Sequence, residues 1–211
     1  AENCEGFSET TRQLPDIEDY KFWDWFTGII DGEGNFNIRL DPVSKKKVLK
    51  QINIKLHNKN IRVLTRIQNY LHMGRIRGNK NKPYSIYIAS IKESVIYIIK
   101  NINDRIRLKV LSFKEVCVLY NIGYVEADYN IDLYNPYFGG LVDTRGSIVF
   151  NSAGNKIECN LEFKHDEYTT RLNFDNTILE SKPKIKGEKC SKSNIKKSTS
   201  IYFKFQNVNN M

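Results

Sequence analysis

The chain has 211 residues, with 33 Lys plus Arg against 24 Asp plus Glu and a formal charge of +9. Such a length suits one ordinary domain or two small ones, and 40% apolar with 12% aromatic residues excludes a wholly disordered chain. No apolar run approaches the roughly 18–20 residues that span a bilayer, and residues 1–20 hold no apolar signal core, so neither a membrane span nor a secretory leader is expected.

Residues 1–20 read as a polar leader or linker. Phe22, Trp23, Phe26, Ile29 and Ile30 recur at helical spacing, which predicts a helix over 22–33 that stops at Gly34. Residues 35–40 and 48–56 alternate apolar with polar, as strands do, with a turn at Asp41-Pro42 between them. Ile61, Leu64, Ile67 and Leu71 mark a helix over 59–71. Residues 75–78 and 84–90 read as a hairpin, and 91–103 and 112–122 as two further helices.

The pattern then restarts. FGGLVDTRG at 138–146 echoes FTGIIDGEG at 26–34. Strands are expected at 147–150 and 157–163, a helix over 167–179, and strands at 184–186 and 200–205. The spacing Gly34 to Tyr87 recurs within three residues as Gly146 to Tyr202, which marks an internal repeat. The expected division is a leader at 1–20, a first repeat with terminal helices at 21–122, a linker at 123–135 and a truncated second repeat at 136–207.

Charge is unevenly spread. Residues 1–41 hold ten acids and three bases, whereas residues 42–92 hold thirteen bases and no acid. Lys182, Lys184, Lys186, Lys189, Lys192, Lys196, Lys197 and Lys204 form a second basic run. Bases on strands suit a nucleic acid, whose binding would weaken with salt as counterions are released. An anionic membrane would call for a basic amphipathic helix instead. The four cysteines, Cys4, Cys117, Cys159 and Cys190, are far apart in the sequence, with no zinc-type spacing; reduced thiols in an intracellular compartment are expected. The Asn, Lys, Ile and Tyr content suggests an AT-rich coding sequence.

Gly28 and Gly32 lie four residues apart, on one helical face, as do Gly140 and Thr144. Small residues at this spacing let two helix backbones approach closely. Packed together, the two helices would bring Glu33 and Arg145 to one place.

These nonapeptides, the repeated order of elements and the basic strands resemble the LAGLIDADG homing endonuclease and intron maturase family in its monomeric two-repeat form, over about residues 20–205. The resemblance implies an α+β fold of two tandem αββαββ repeats in a pseudo-twofold arrangement. The motif helices would form the interface through Gly28, Gly32, Gly140 and Thr144, and the basic sheets would make a saddle in the DNA major groove. The acid at the motif's eighth position binds a divalent cation, Mg²⁺ or another, at the scissile phosphate. Metal polarises the phosphate and lowers the pKa of the attacking water. By the resemblance, Glu33 would be the catalytic and metal-binding acid of the first repeat. Arg145 replaces it in the second. At an assumed ~6 Å and an effective dielectric of ~20, a guanidinium opposes a divalent ion by about 5 kcal/mol.

Asp31 and Asp143 take the structural role that the family gives their position. Lys109 stands where the family has a basic residue supporting the hydrolytic water; its other reading is a surface lysine at a helix start. Arg39, Lys45, Lys46, Lys47, Lys50, Lys55, Arg75, Arg77, Lys80, Lys82, Lys184, Lys186, Lys196 and Lys197 are candidate nucleic-acid contacts, with Tyr84, Tyr87, Tyr202 and Phe203 as stacking candidates. The expected function is a Mg²⁺-dependent, intron-encoded DNA endonuclease impaired in one half-site. A non-catalytic RNA maturase for a group I intron and a structural RNA-binding component are the alternatives. The expected partners are a duplex target or intron RNA. The chain is expected to act as a monomer in mitochondria, with a protein partner over the short second half as the alternative.

Overall fold

The computed structural model describes residues 17–78, 81–151, 156–178, 183–187 and 200–206. Helix α1 (Ile17–Glu33) leads into β1 (Gly34–Leu40), β2 (Lys47–His57), α2 (Ile61–Leu71), β3 (Arg75–Gly78), β4 (Tyr84–Ala89), α3 (Lys92–Ile102) and α4 (Val110–Leu119). The second repeat supplies α5 (Pro136–Arg145), β5 (Gly146–Asn151), β6 (Lys156–Lys164), β7 (Lys184–Gly187) and β8 (Ser200–Gln206). Each repeat forms an antiparallel four-stranded sheet, in the order β1-β2-β4-β3 and β5-β6-β8-β7. The expected two sheets, each entered from a motif helix, are present.

Local chemistry explains where the helices turn. Asn135 caps α5, its side-chain oxygen accepting from Tyr137 N at 2.9 Å, with Pro136 in the first turn, where it leaves no missing donor. Both motif helices pass directly into a strand at a glycine. A Cβ on Gly34 would lie 2.6 Å from the Ile30 carbonyl oxygen, and one on Gly146 2.5 Å from that of Val142, so only glycine fits the sharp exit.

The first sheet packs its core face, including Ile52, Ile54, Tyr87 and Ala89, against α1, α2 and α4. Phe113 of α4 meets Phe36 of β1 at 5.7 Å between ring centroids. Fully burying a side chain of this size contributes about 1.5–3 kcal/mol.

The second repeat departs from the expected pattern. In place of a helix over 167–179, the described residues hold one 3-10 turn, Thr169–Arg171, followed by an isolated bridge at Asn173 and a turn over 175–177. Thr169 takes the turn's hydrogen bonds through its hydroxyl, donating to Lys164 O at 3.1 Å and accepting from Asp166 N at 2.9 Å. Phe174 plugs the sheet, 4.9 Å from Phe203 and 5.9 Å from Phe205. Segment 123–135, read as a linker, is packed: Tyr129 and Ile131 are buried in the second core, and Ile131 N donates to Asn173 O at 2.9 Å. Helix α1 also begins at Ile17, inside the segment read as leader; residues 1–16 lie outside the described residues. Among the described residues, no helix is long and apolar enough to cross a membrane.

Candidate functional site

Helices α1 and α5 cross at their small residues. A Cβ on Gly28 would sit 3.0 Å from both Gly140 Cα and Leu141 N, and one on Gly140 would sit 2.9 Å from Ile29 N. One turn further on, Thr144 covers Gly32, and its hydroxyl donates back to Gly140 O at 2.9 Å. Backbone contact at the glycines fixes where the helix ends converge.

At those ends Arg145 Nε lies 3.2 Å from Glu33 Oε1 and donates to Gly32 O at 3.0 Å. The two side chains are 45% and 32% exposed. A pair this open contributes about 0–1 kcal/mol to stability, so its importance lies in which group occupies the crossing. Both helices point their C-termini there, and the unsatisfied carbonyls of helix ends favour a cation. Arg145 lies in the last turn of α5, whereas α1 has no base in its last turn.

The two aspartates of the motifs have diverged. Asp31 is buried and accepts from Arg107 N at 2.8 Å, Lys109 N at 2.9 Å and Tyr137 Oη at 2.8 Å. It pins the start of α4 to α1 and ties in α5. Burial raises its pKa despite these donors. Asp143 instead accepts from Trp25 Nε1 at 2.8 Å across the crossing. Among the described residues, neither is paired with Glu33 or Arg145. Lys109 is half-buried; burial lowers its pKa, while Asp31 raises it, Arg145 lowers it and Glu33 raises it. Its ammonium thus lies within the field of the crossing.

An open cleft of about 610 Å³ lies beside the pair, lined by Glu33, Thr144, Arg145, Gly146, Glu162, Phe163, Lys164 and Ser200. Glu162 and Lys164 are site residues that the sequence reading missed. The signal for them is pairing: Gly146 stands opposite Leu161 in the ladder, which brings the next β6 residue to the end of α5.

Strand pairing also sorts the basic candidates. Asn35 pairs with Asn53 and Asn37 with Gln51. Lys55 and Asn53 share a face with Arg75 and Arg77, which pair with Ile88 and Ile86. Arg39 joins this helix-free face, its Nε donating to Asn37 Oδ1 at 2.9 Å. Lys47 does not: its Nζ lies 2.5 Å from Glu115 on α4, on the other side of the sheet. Lys45, Lys46 and Lys50 are exposed at or beside the β1–β2 turn, and Lys82 near Tyr84. In the second sheet Lys184 pairs with Lys204, and Lys186 stands opposite Tyr202. Lys80, Lys196 and Lys197 lie outside the described residues.

Two stacking candidates fall away. Tyr87 and Phe203 are buried on the core face, leaving Tyr84 and Tyr202 on the outer faces. Gly34 leads through Ile54 to Tyr87, and Gly146 leads through Leu161 to Phe203. The equivalent of Tyr87 is therefore Phe203, one residue beyond the Tyr202 expected from spacing alone.

Comparison with known proteins gives a consistent set of matches. Residues 26–120 match a family model described as LAGLIDADG endonuclease. The chain is 28% identical over 136 residues to intron-encoded RNA maturase bI4 of Saccharomyces cerevisiae, covering 64% of this chain and 20% of that protein. It is 23% identical over 160 residues to intron-encoded DNA endonuclease ai2a of Dictyostelium discoideum, covering 75% and 48%. The chain thus spans less than half the length of these relatives. In fold it is similar to meganuclease I-SmaMI bound to DNA, with a TM-score of 0.59, 15% identity and coverage of 88% and 79%. Against LAGLIDADG meganuclease I-AabMI bound to DNA, the values are 0.50, 16%, 86% and 77%.

Proposed function

We propose that the chain is a LAGLIDADG protein in its two-repeat form, as the match over residues 26–120 and the likeness of fold support, and that it is an intron-encoded, site-specific nucleic-acid-binding protein of the homing-endonuclease type. It straddles the duplex at an intron insertion site, and its double-strand cutting is disabled in the second half. The Glu33–Arg145 pair carries this reading. Where two carboxylates would serve two strands, one acid faces one guanidinium.

Binding draws on the outer faces of the sheets. Lys and Arg there neutralise phosphates and give affinity. The paired amides Asn35, Asn53, Asn37 and Gln51, with Arg75 and Arg77, are the side chains suited to adenine and guanine edges in a major groove. Tyr84 and Tyr202 add flat surface at the rims. Asn, Lys, Ile and Tyr usage and the family together favour a mitochondrial location.

A divalent ion needs oxygen donors with excess negative charge. At the crossing these are the Glu33 carboxylate and the Gly32 carbonyl, both engaged by Arg145, and Glu162 on the cleft wall, which accepts from the Tyr202 hydroxyl. Among the described residues, no three His, Cys, Asp or Glu side chains gather as a ligand set. The residues present do not fit the ion.

The same pair favours a second reading, a maturase that helps a group I intron fold. Arg145 removes the hydrolytic donor set and leaves the basic faces intact, so RNA binding would outlast cutting. The test is a gel shift with the uninterrupted exon-junction duplex and with intron RNA, alongside incubation of supercoiled junction plasmid with Mg²⁺. Selective retardation of the junction duplex without linear plasmid is the expected result. Linear product refutes the disabled half-site. Tight retention of intron RNA with no preference among duplexes selects the maturase reading.

A further inference from the structure

We infer that the second half-site is a charge-inverted copy of the first, with Arg145 as a resident cation that holds a nucleic-acid phosphate at the crossing without a divalent ion. This rests on the nucleic-acid-binding reading above and adds what occupies its centre.

The ladder registers carry the inversion. Gly34 stands opposite Ile54, and Gly146 opposite Leu161. The residues flanking these pairs on the helix side are Glu33 with Lys55 in the first repeat and Arg145 with Glu162 in the second. Acid and base have exchanged places between helix end and strand. A simple loss of the acid would leave the strand position unchanged in sign; here both positions reverse, and the two positions of each repeat still sum to zero.

Geometry places the cation. Arg145 engages Glu33 and Gly32 O through Nε alone. Its four terminal N–H bonds have no hydrogen-bond partner among the described residues, and Arg145 lines the cleft of about 610 Å³. A guanidinium fork matches two oxygens of a phosphate. Two helix C-termini meet at this point and favour positive charge. Glu162 lines the same cleft, with its Oε1 accepting from the Tyr202 hydroxyl at 2.5 Å.

The experiment uses the full chain, a fluorescein-labelled random-sequence duplex and Mn²⁺ alone as probes. Anisotropy titrations of the wild-type chain in EDTA and in Mg²⁺ should agree within twofold, and calorimetry should detect no Mn²⁺ site. R145Q should lower the salt dependence of duplex binding by about 0.9 in log–log slope, one phosphate contact, without gaining Mn²⁺ binding. R145E/E162K, which gives the second half the charges of the first, should gain a Mn²⁺ site that E33Q removes. A wild-type Mn²⁺ site abolished by E33Q overturns the proposal, as does an unchanged salt slope in R145Q. Absence of a Mn²⁺ site in R145E/E162K, with its thermal midpoint retained, overturns the inversion. Failure of every variant to bind duplex defeats the binding reading instead, and the Mn²⁺ titrations still report what the crossing accepts.

Discussion

Alanine at Gly140 puts a methyl group against the backbone of α1. Its Cβ would run into the Trp25 carbonyl and lie 2.9 Å from Ile29 N and 3.0 Å from Gly28 Cα. These are main-chain atoms, and comfortable carbon contacts start near 3.5 Å, so the helices must separate. Alanine at Gly139, one residue earlier in the same helix, meets only Trp25 Cδ1 at 3.9 Å, an ordinary contact. Both substitutions gain the same helix propensity, about 0.5–1 kcal/mol. Their difference therefore isolates the cost of overpacking the crossing, about 1–3 kcal/mol. G139A should be more stable than wild type and G140A less stable than G139A by that amount, which is roughly 2–12 °C in thermal midpoint for a chain of this size. Urea denaturation followed by tryptophan fluorescence reads it, since Trp25 sits at the crossing; the midpoint should move without a change in slope. Equal stabilities for G139A and G140A would refute close packing at Gly140, and with it the placement of Glu33 beside Arg145.

Y137F removes one donor from the buried Asp31 carboxylate and should cost about 1.5–3 kcal/mol by urea denaturation, as expected for a hydrogen bond to a charged group. The raised pKa of Asp31 means that the folded chain binds its proton more tightly than the unfolded chain. Its contribution to stability is therefore present below the ordinary carboxylate value and is lost as pH rises through the folded pKa. Subtracting a D31N profile from the wild-type profile should reveal that downward slope above about pH 4; an upward slope would contradict it. K55A and R75A should each lower the salt slope of duplex binding by about one contact, while K47A, directed at Glu115, should leave it unchanged. Cys117 is buried and burial raises its thiol pKa, so it should react with a thiol reagent only on unfolding; rapid labelling of the native chain at Cys117 by mass spectrometry would show otherwise.

Much of the fold was legible in local patterns. Apolar residues three and four apart gave helices, alternation gave strands, and glycines at Gly28 and Gly32 with Gly140 and Thr144 forecast a backbone crossing. The meeting of Glu33 and Arg145 followed from matching the two nonapeptides. These features depend on residues close in sequence, or on a repeat that can be aligned to itself. The expected helix over 167–179 failed because its apolar residues serve another need: Phe174 fills the second core beside Phe203, and Asn173 pairs with the segment at Tyr129 and Ile131. Burial against a distant sheet outweighed weak local propensity.

What tertiary structure alone decided is facing and register. A one-residue offset moves a strand residue to the opposite face, and spacing was off by one at Tyr202. The irregularity between Asn37 and Ile38 likewise shifts later pairings by an amount no periodicity records. Whether a lysine faces Glu115 or solvent, and whether Glu162 reaches the helix ends, depends on which strands lie side by side. Sequence determined that two glycine-bearing helices exist and which charges end them; only the packed sheets determined what stands around those charges, because hydrogen-bonded pairing sets the position of every side chain across the ladder.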